Sequence, residues 1–371
     1  MMTTIFLCGD VMIGRGIDQI QRRSSDPRLF EPNMTSAADY VRLAEARAGP
    51  IPREVRPSYV WGAALADLQQ RVPAVRIVNL ETAVTTSAAP WPGKDVLYRT
   101  HPDNVAVLQT AGVDCCTVAN NHVLDWGYAG LEDTLARLRA AGVAGVGAGM
   151  SAAQAADPAA FEVPGGRVIV FGIGSTSSGI PGQWAAGPDR PGVNLVEGWS
   201  QSAARWLAER VEEFRQPGDV VVVSIHWGSN WGYAIPAAQR HLGHALVDAG
   251  ADLVHGHSSH HPRGMELYRG KLILHGCGDF ITDYEGIAGH EHFRDDLVLG
   301  YYARLEQADG RLREFSVLPY RLERFRLFPA TAEEGGWLAD ILDRESREFG
   351  LRVTRTPDGS LVALPVADPG R

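Results

Sequence analysis

Ten of the 12 histidines lie between Ile225 and Phe293. They are densest in the stretch Asp252–Asp283. There a short apolar run, Leu253-Val254, breaks into His255, Gly256, His257, two serines, His260 and His261. A second run, Leu272-Ile273-Leu274, ends in His275-Gly276-Cys277-Gly278-Asp279. Imidazole is the commonest metal ligand, and the one side chain whose ordinary pKa lies near neutrality. Crowding at the ends of apolar runs therefore predicts a metal or proton-transfer site. His241 and His244 fall in a helical pattern and are read as surface.

The same pattern recurs along the chain. Apolar runs end in Asp10; in Asn79 and Glu81; in Asn121 and His122; in His226; and in His255 and His257. Sites in open α/β sheets gather outside the carboxyl ends of strands, so five such ends on one rim would share a pocket. A mix of carboxylate, amide and imidazole donors suits Mn, Fe or Zn. Two such ions polarise a phosphoryl or carbonyl oxygen and supply hydroxide. Asp125, three residues after His122, can hold one ring nitrogen and fix the tautomer. Trp227, Trp231 and Tyr233 follow the fourth strand end and are candidates to hold substrate. Arg15, in the Gly14-Arg15-Gly16 turn after Asp10, joins them.

The elements that must position these residues are legible from periodicity. Strands are expected near residues 3–8, 75–78, 113–119, 143–146, 219–225 and 272–274. A hairpin is expected at 161–173, about Gly165-Gly166, and another at 297–318, about Ala308-Asp309-Gly310. Leu131, Leu135 and Leu138 form one helical stripe, and helices are also expected near 38–46, 59–71, 103–110, 201–214, 236–248 and 333–349. Residues 22–58 read as an insertion able to wall or cover a cleft. Residues 174–198, rich in Gly, Ser and Pro, read as a long loop. The expected domain covers 1–325. The remainder, 326–371, holds a helix and a small hairpin that cannot bury a core alone, so it packs on the same domain.

Composition narrows the class. The chain has 371 residues, 45% of them hydrophobic and 21% charged, which is ordinary for a globular protein. A net charge of −9, with both signs interspersed, argues against a nucleic-acid footprint. The four cysteines form no C-x-x-C pair; three sit in apolar strand-like runs and read as buried thiols, and the compartment reads as reducing. MMTTIFLCGD has neither a basic start nor a long apolar core, so no signal peptide is expected. No run approaches the roughly 18 apolar residues of a membrane span. A cytoplasmic location is expected.

The ordered motifs resemble the calcineurin-like metallophosphoesterase superfamily, and within it the CapA branch of poly-γ-glutamate capsule synthesis proteins. The matching segments are GDVMIGR (9–15), YVWG (59–62), NLETAVT (79–85), ANNHVLDWG (119–127), SIHWG (224–228), GHSSHHPRGMELYRGKLILHGCGDFITDYEG (256–286) and FRDDL (293–297). The resemblance implies a four-layer α/β/β/α sandwich of two mixed sheets flanked by helices. It implies metal ligands at Asp10, Glu81, Asn121, His226 and His257, completed by His260 or His255, with His122 as proton donor to a leaving group. Met12 stands where the superfamily's first motif has a histidine, and Glu81 where its second has the bridging aspartate. The first metal position thus lacks a ligand, which leaves open weak, single or no metal.

Three functions follow from the resemblance. The first is metal-assisted hydrolysis or transfer on a peptide, a polyglutamate-like amide or a phosphoester. The second is metal-independent epimerisation of a peptide, as for CapA-like proteins encoded beside lasso peptides. Asp10 and either His290 or His292 would then serve opposite faces of an α-carbon. The third is a non-catalytic subunit for polyglutamate export.

Overall fold

Side-chain alternation along the first strand, Met2–Val11, builds the layers. Ile5 and Leu7 point one way. With Ile77 and Cys115 they pack on Val168, Val170, Val220, Val222 and Leu253 of a second sheet. Phe6 and Cys8 point the other way, into a core shared with Trp61, Leu68, Leu108 and Leu131 of the covering helices. The second sheet repeats the device: Ile169, Phe171, Val221 and Val223 meet Leu207, Leu242 and Leu246. The order is therefore helices, sheet, sheet, helices. The computed structural model describes residues 1–365, so the end of the expected tail, 366–371, lies outside the described residues.

The larger sheet has ten strands and the smaller seven, both mixed. In the larger, Met2–Val11 runs parallel to Val75–Leu80, which runs parallel to Cys115–Thr117 and on to Ala144–Val146. On its other side Met2–Val11 lies antiparallel to Leu297–Glu306. The smaller sheet has Gly166–Ser175, Val220–His226, Leu253–His257 and Lys271–Leu274 side by side and parallel. Val220–His226 is buried along its whole length, as befits a parallel strand covered on both faces. The strand Met265–Tyr268, not foreseen from the sequence, folds back on Lys271–Leu274 through a turn with Gly270 at φ +80°.

The insertion at 22–58 is a hairpin, Arg28–Glu31 with Met34–Ser36, and a helix, Ala37–Ala48. Ser36 caps that helix through the N–H of Ala38, and Tyr40, Val41 and Ala44 are buried. The stretch 174–198 is built from short turns and pairings, with Ile180, Trp184 and Val193 buried. In the tail, Arg326–Pro329 and Leu361–Pro365 both pair with Leu312–Glu323. The helix Ala332–Arg347 is started by a Thr331–Glu334 capping box and adds Leu338 and Leu342 to the core between the sheets. No described helix is long and apolar enough to cross a membrane.

Parallel strands end together. Asp10 registers with Asn79 on one neighbour and with Asp279, at the start of Asp279–Ile281, on another. In the smaller sheet His226 registers with His257.

Candidate functional site

The centre of the cluster is Asp10, which has no exposed surface. Its Oδ1 accepts the Nδ2–H of Asn79 at 2.7 Å, and its Oδ2 has no partner. Asp10, Glu81 and Asp279 present oxygens that all lie within 4.8 Å of one another, and Glu81 Oε2 is likewise buried without a partner. Burial, and next the charge of Asp279, push the Asp10 carboxyl up to about 8. Burial and Asp10 raise Glu81 well above the carboxylate range. Carboxylates that repel each other in a dry site are relieved by a cation.

Asp10 belongs to a second set. Its carboxylate and ring nitrogens of His226 and His257 also lie within 4.8 Å of one another. The Nδ1 atoms of the two rings are 2.8 Å apart. Burial holds both well below the ordinary imidazole pKa, so both rings are neutral, the form that binds a metal. Asn121 Oδ1 lies 2.9 Å from His226 Nε2. The residues present thus fit divalent metal on two counts: orphaned buried oxygens, and an O,N donor set suited to Mn, Fe or Zn. Met12 is buried, and its sulfur accepts the N–H of Gly14 at 3.2 Å. Asp279, beside Asp10 in register, is the added carboxylate. Sequence reasoning quoted it but did not select it; the signal was an acid closing an apolar run.

Other predicted ligands serve the cluster from outside. His255 is a correction: its Nε2 is 2.8 Å from the carbonyl of Cys8 and its Nδ1 2.9 Å from Ser224 Oγ, so both nitrogens are occupied. His260 Nδ1 lies 3.1 Å from Asp279 Oδ1 and its Nε2 3.0 Å from Asn230. Burial opposes its charge, but Asp279 outweighs burial and raises its pKa. Ser258, next to His257, is held at φ +101°, a conformation rare for a residue with a Cβ.

His122 stands at the edge. Its Nδ1 is 2.7 Å from Asp125 Oδ2, and its Nε2 is 4.0 Å from Glu81 Oε1. Tyr98 stacks on the ring at 3.7 Å and donates its backbone N–H to Asp125. The Lys94 amino group reaches Asp125 Oδ1, a contact the sequence did not suggest. Burial lowers the His122 pKa to about 4, against the pull of Asp125. Asp125 Oδ2, the nearer neighbour of Nδ1, accepts its N–H and leaves a lone pair on Nε2, while the Lys94 ammonium, 3.1 Å from the same nitrogen, donates to Asp125 Oδ1. Burial thus favours the neutral ring, which takes a proton before it gives one.

Several expected substrate contacts lie elsewhere. Arg15 is buried, with Nε and Nη2 donating to Asp283 and Nη1 to Glu31 and Tyr40; it pins the insertion to the sandwich instead of facing substrate. Trp227 is buried and donates to the carbonyl of His275. Trp231 and Tyr233 are half-buried in an aromatic clasp. Trp231 stacks on His290 at 3.8 Å, and Tyr233 packs edge-on to His261 at 4.6 Å. His292 is exposed against Phe293 at 3.9 Å. His290 thus stands in the clasp on Trp231, which also packs on His260 at 5.2 Å, while His292 is turned outward.

The model of the family described as bacterial capsule synthesis protein PGA_cap matches residues 4–284. A Mycobacterium tuberculosis protein named "Probable polyglutamine synthesis accessory protein" is 47% identical over 369 residues, 99% of this chain and 97% of its own length. The PGA biosynthesis protein CapA of Bacillus subtilis is 28% identical over 354 residues, 95% of this chain and 80% of its own. Among solved structures, a phosphatase of Mycoplasma pneumoniae aligns over 86% of this chain and 93% of its own, at 11% identity and a TM-score of 0.47.

Proposed function

The chain belongs to the bacterial capsule synthesis protein family PGA_cap, and from that premise we propose that it is a metal-dependent enzyme of polyglutamate metabolism. It cleaves or transfers an amide or phosphoester bond of a polyglutamate-like substrate. One observation carries this reading: Asp10 is common to two buried ligand sets, Asp10–His226–His257 and Asp10–Glu81–Asp279. A carboxylate shared by two sets is what a pair of adjacent cations needs. Divalent cations held there would supply Lewis-acid polarisation and water of lowered pKa.

The chain's own residues do the rest. Asn79 orients Asp10 through its 2.7 Å hydrogen bond. His260 orients Asp279. His122, its tautomer set by Asp125, offers Nε2 to take a proton beside Glu81. Asn121, Lys94 and His260 are the partly exposed members, so substrate enters on their side. The four cysteines are unpaired and buried, which supports a reducing, cytosolic compartment.

The test is metal analysis of the purified protein, followed by assay of the metal-loaded form on γ-linked oligoglutamate and on a chromogenic phosphoester. Turnover of either, lost in Asp10→Asn, is the expected result. Metal-loaded protein that turns over neither overturns the enzymatic reading in favour of a non-catalytic subunit.

A further inference from the structure

On the far side of the segment that carries Tyr98 lies a cavity of about 210 Å³, lined by Arg99, Trp126, Arg28, Phe30 and others. Tyr98 and Asp125 face His122, while their chain neighbours Arg99 and Trp126 face this cavity. Arg99 is buried, and its guanidinium lies flat on the Trp126 ring, 3.8 Å from the centroid. Two of its five N–H groups donate to the carbonyls of Ser87 and Asp26. Among the described residues the other three find no acceptor and no carboxylate oxygen makes contact, although the charges of Asp26 and Asp18 act on it from further off. A guanidinium with free N–H groups turned into an open cavity and no contacting carboxylate is placed to take an anionic ligand. Arg28 adds a second unpaired guanidinium, over Phe30 at 5.6 Å. Asp26 is the one acid in the lining, and one of its oxygens accepts the Arg28 backbone N–H at 3.0 Å.

The cavity is tied to the metal cluster. Arg99 registers with Ala83, two residues after Glu81, across a two-stranded ladder, Ala83–Val84 with Arg99–Thr100. Strand spacing and rise put the Cα atoms of Glu81 and Arg99 roughly 8 Å apart. A chain of glutamates carries a free carboxylate on every unit. We propose that this cavity is a carboxylate subsite, where Arg99 and Arg28 grip an acidic peptide chain beside the unit held at the Asp10 cluster. The planar guanidinium, pressed on Trp126, suits a carboxylate taken in two parallel hydrogen bonds. The inference rests on the polyglutamate reading above and deepens it.

The experiment is equilibrium binding of a fluorescently labelled γ-linked hexaglutamate to full-length protein in chelator, so that turnover is silent. Arg99→Gln is expected to weaken binding about tenfold or more, the effect of losing a charged hydrogen-bond partner. Arg28→Glu, at an exposed position, is expected to weaken it as well, and it carries the test if Arg99→Gln fails to fold. The fully esterified hexaglutamate should not bind. Wild-type affinity in both variants overturns the subsite. So does arginine-dependent binding of inorganic phosphate without binding of the peptide, which would make this a free-phosphate site. Hexaglutamate turned over by wild type with both variants binding normally removes the subsite and keeps the enzyme. Arginine-dependent binding without turnover keeps the subsite and removes the enzyme.

Discussion

His226 and His257 stand side by side at the ends of two parallel strands, fully buried, with their Nδ1 atoms 2.8 Å apart. Two imidazoles that burial keeps uncharged, next to a carboxylate oxygen with no partner, make a site whose stability is tied to a cation. Added Mn²⁺ or Zn²⁺ should raise the melting temperature and chelator should lower it. At a hundredfold excess over Kd the gain is about 2.7 kcal/mol. Elemental analysis should find metal that His257→Ala and Asp10→Asn lose, while Asp279→Asn keeps a smaller share. Equal metal in Asp279→Asn and wild type would remove Asp279 from the ligand set.

The strand ends were legible because ligand-type residues interrupt apolar runs, and Asp10, Glu81, Asn121, His226 and His257 do meet. What the sequence hides is depth. His255 and His257 share one strand face, and both touch Ser224, so periodicity cannot separate them. His255 registers with Ser224 itself, one step below the rim, whereas His257 registers with His226 at the rim. Arg15 was misplaced for a related reason. Its partner Asp283 lies 268 residues further on, and only the fold brings it close. Lys94 lies in an irregular stretch with no periodicity to mark which side chains turn inward. The four layers were readable only through the resemblance and the alternation of strands such as Met2–Val11.

This difference in depth predicts a split between neighbouring histidines. His255→Ala takes a partner from the Cys8 carbonyl and one of three from Ser224, and opens a void in a dry interior. It should cost roughly 2–4 kcal/mol of stability and leave metal content unchanged. His257→Ala should lose metal. Urea unfolding combined with elemental analysis of both variants checks this, and metal loss in folded His255→Ala would restore it as a ligand.

Acid should act on a second buried cluster, away from the metal ligands. Burial alone would raise the Glu266 carboxyl, but hydrogen bonds from His275, His244 and Arg240 outweigh it and hold the pKa down to about 2. A carboxyl whose folded pKa lies below its unfolded value of about 4.3 stabilises the fold above that value. The contribution is lost as pH falls from about 4 towards 2, and amounts to up to about 3 kcal/mol at neutral pH. Glu266→Gln should therefore be less stable at pH 7 and show a flatter decline between pH 4 and 2. Unfolding curves at pH 7, 4 and 3 measure it, and parallel declines in the two proteins would contradict the assignment.

The His122–Asp125 pair gives the most direct test of acid–base work. Asp125 can only accept, so it keeps the proton on Nδ1 and the lone pair on Nε2, facing Glu81. An asparagine at 125 offers an N–H to the same ring nitrogen and stabilises the other tautomer, with Nε2 protonated and unable to accept. Asp125 touches none of the metal ligands, so Asp125→Asn should leave metal content alone. It should lower kcat by roughly 10²–10⁴-fold, the range for losing a positioned base, with KM little changed. His122→Gln should fall as far, and the double variant no further, since the two act as one unit. A wild-type rate in Asp125→Asn would mean that the tautomer of His122 does not matter. The proton would then have to leave by another group.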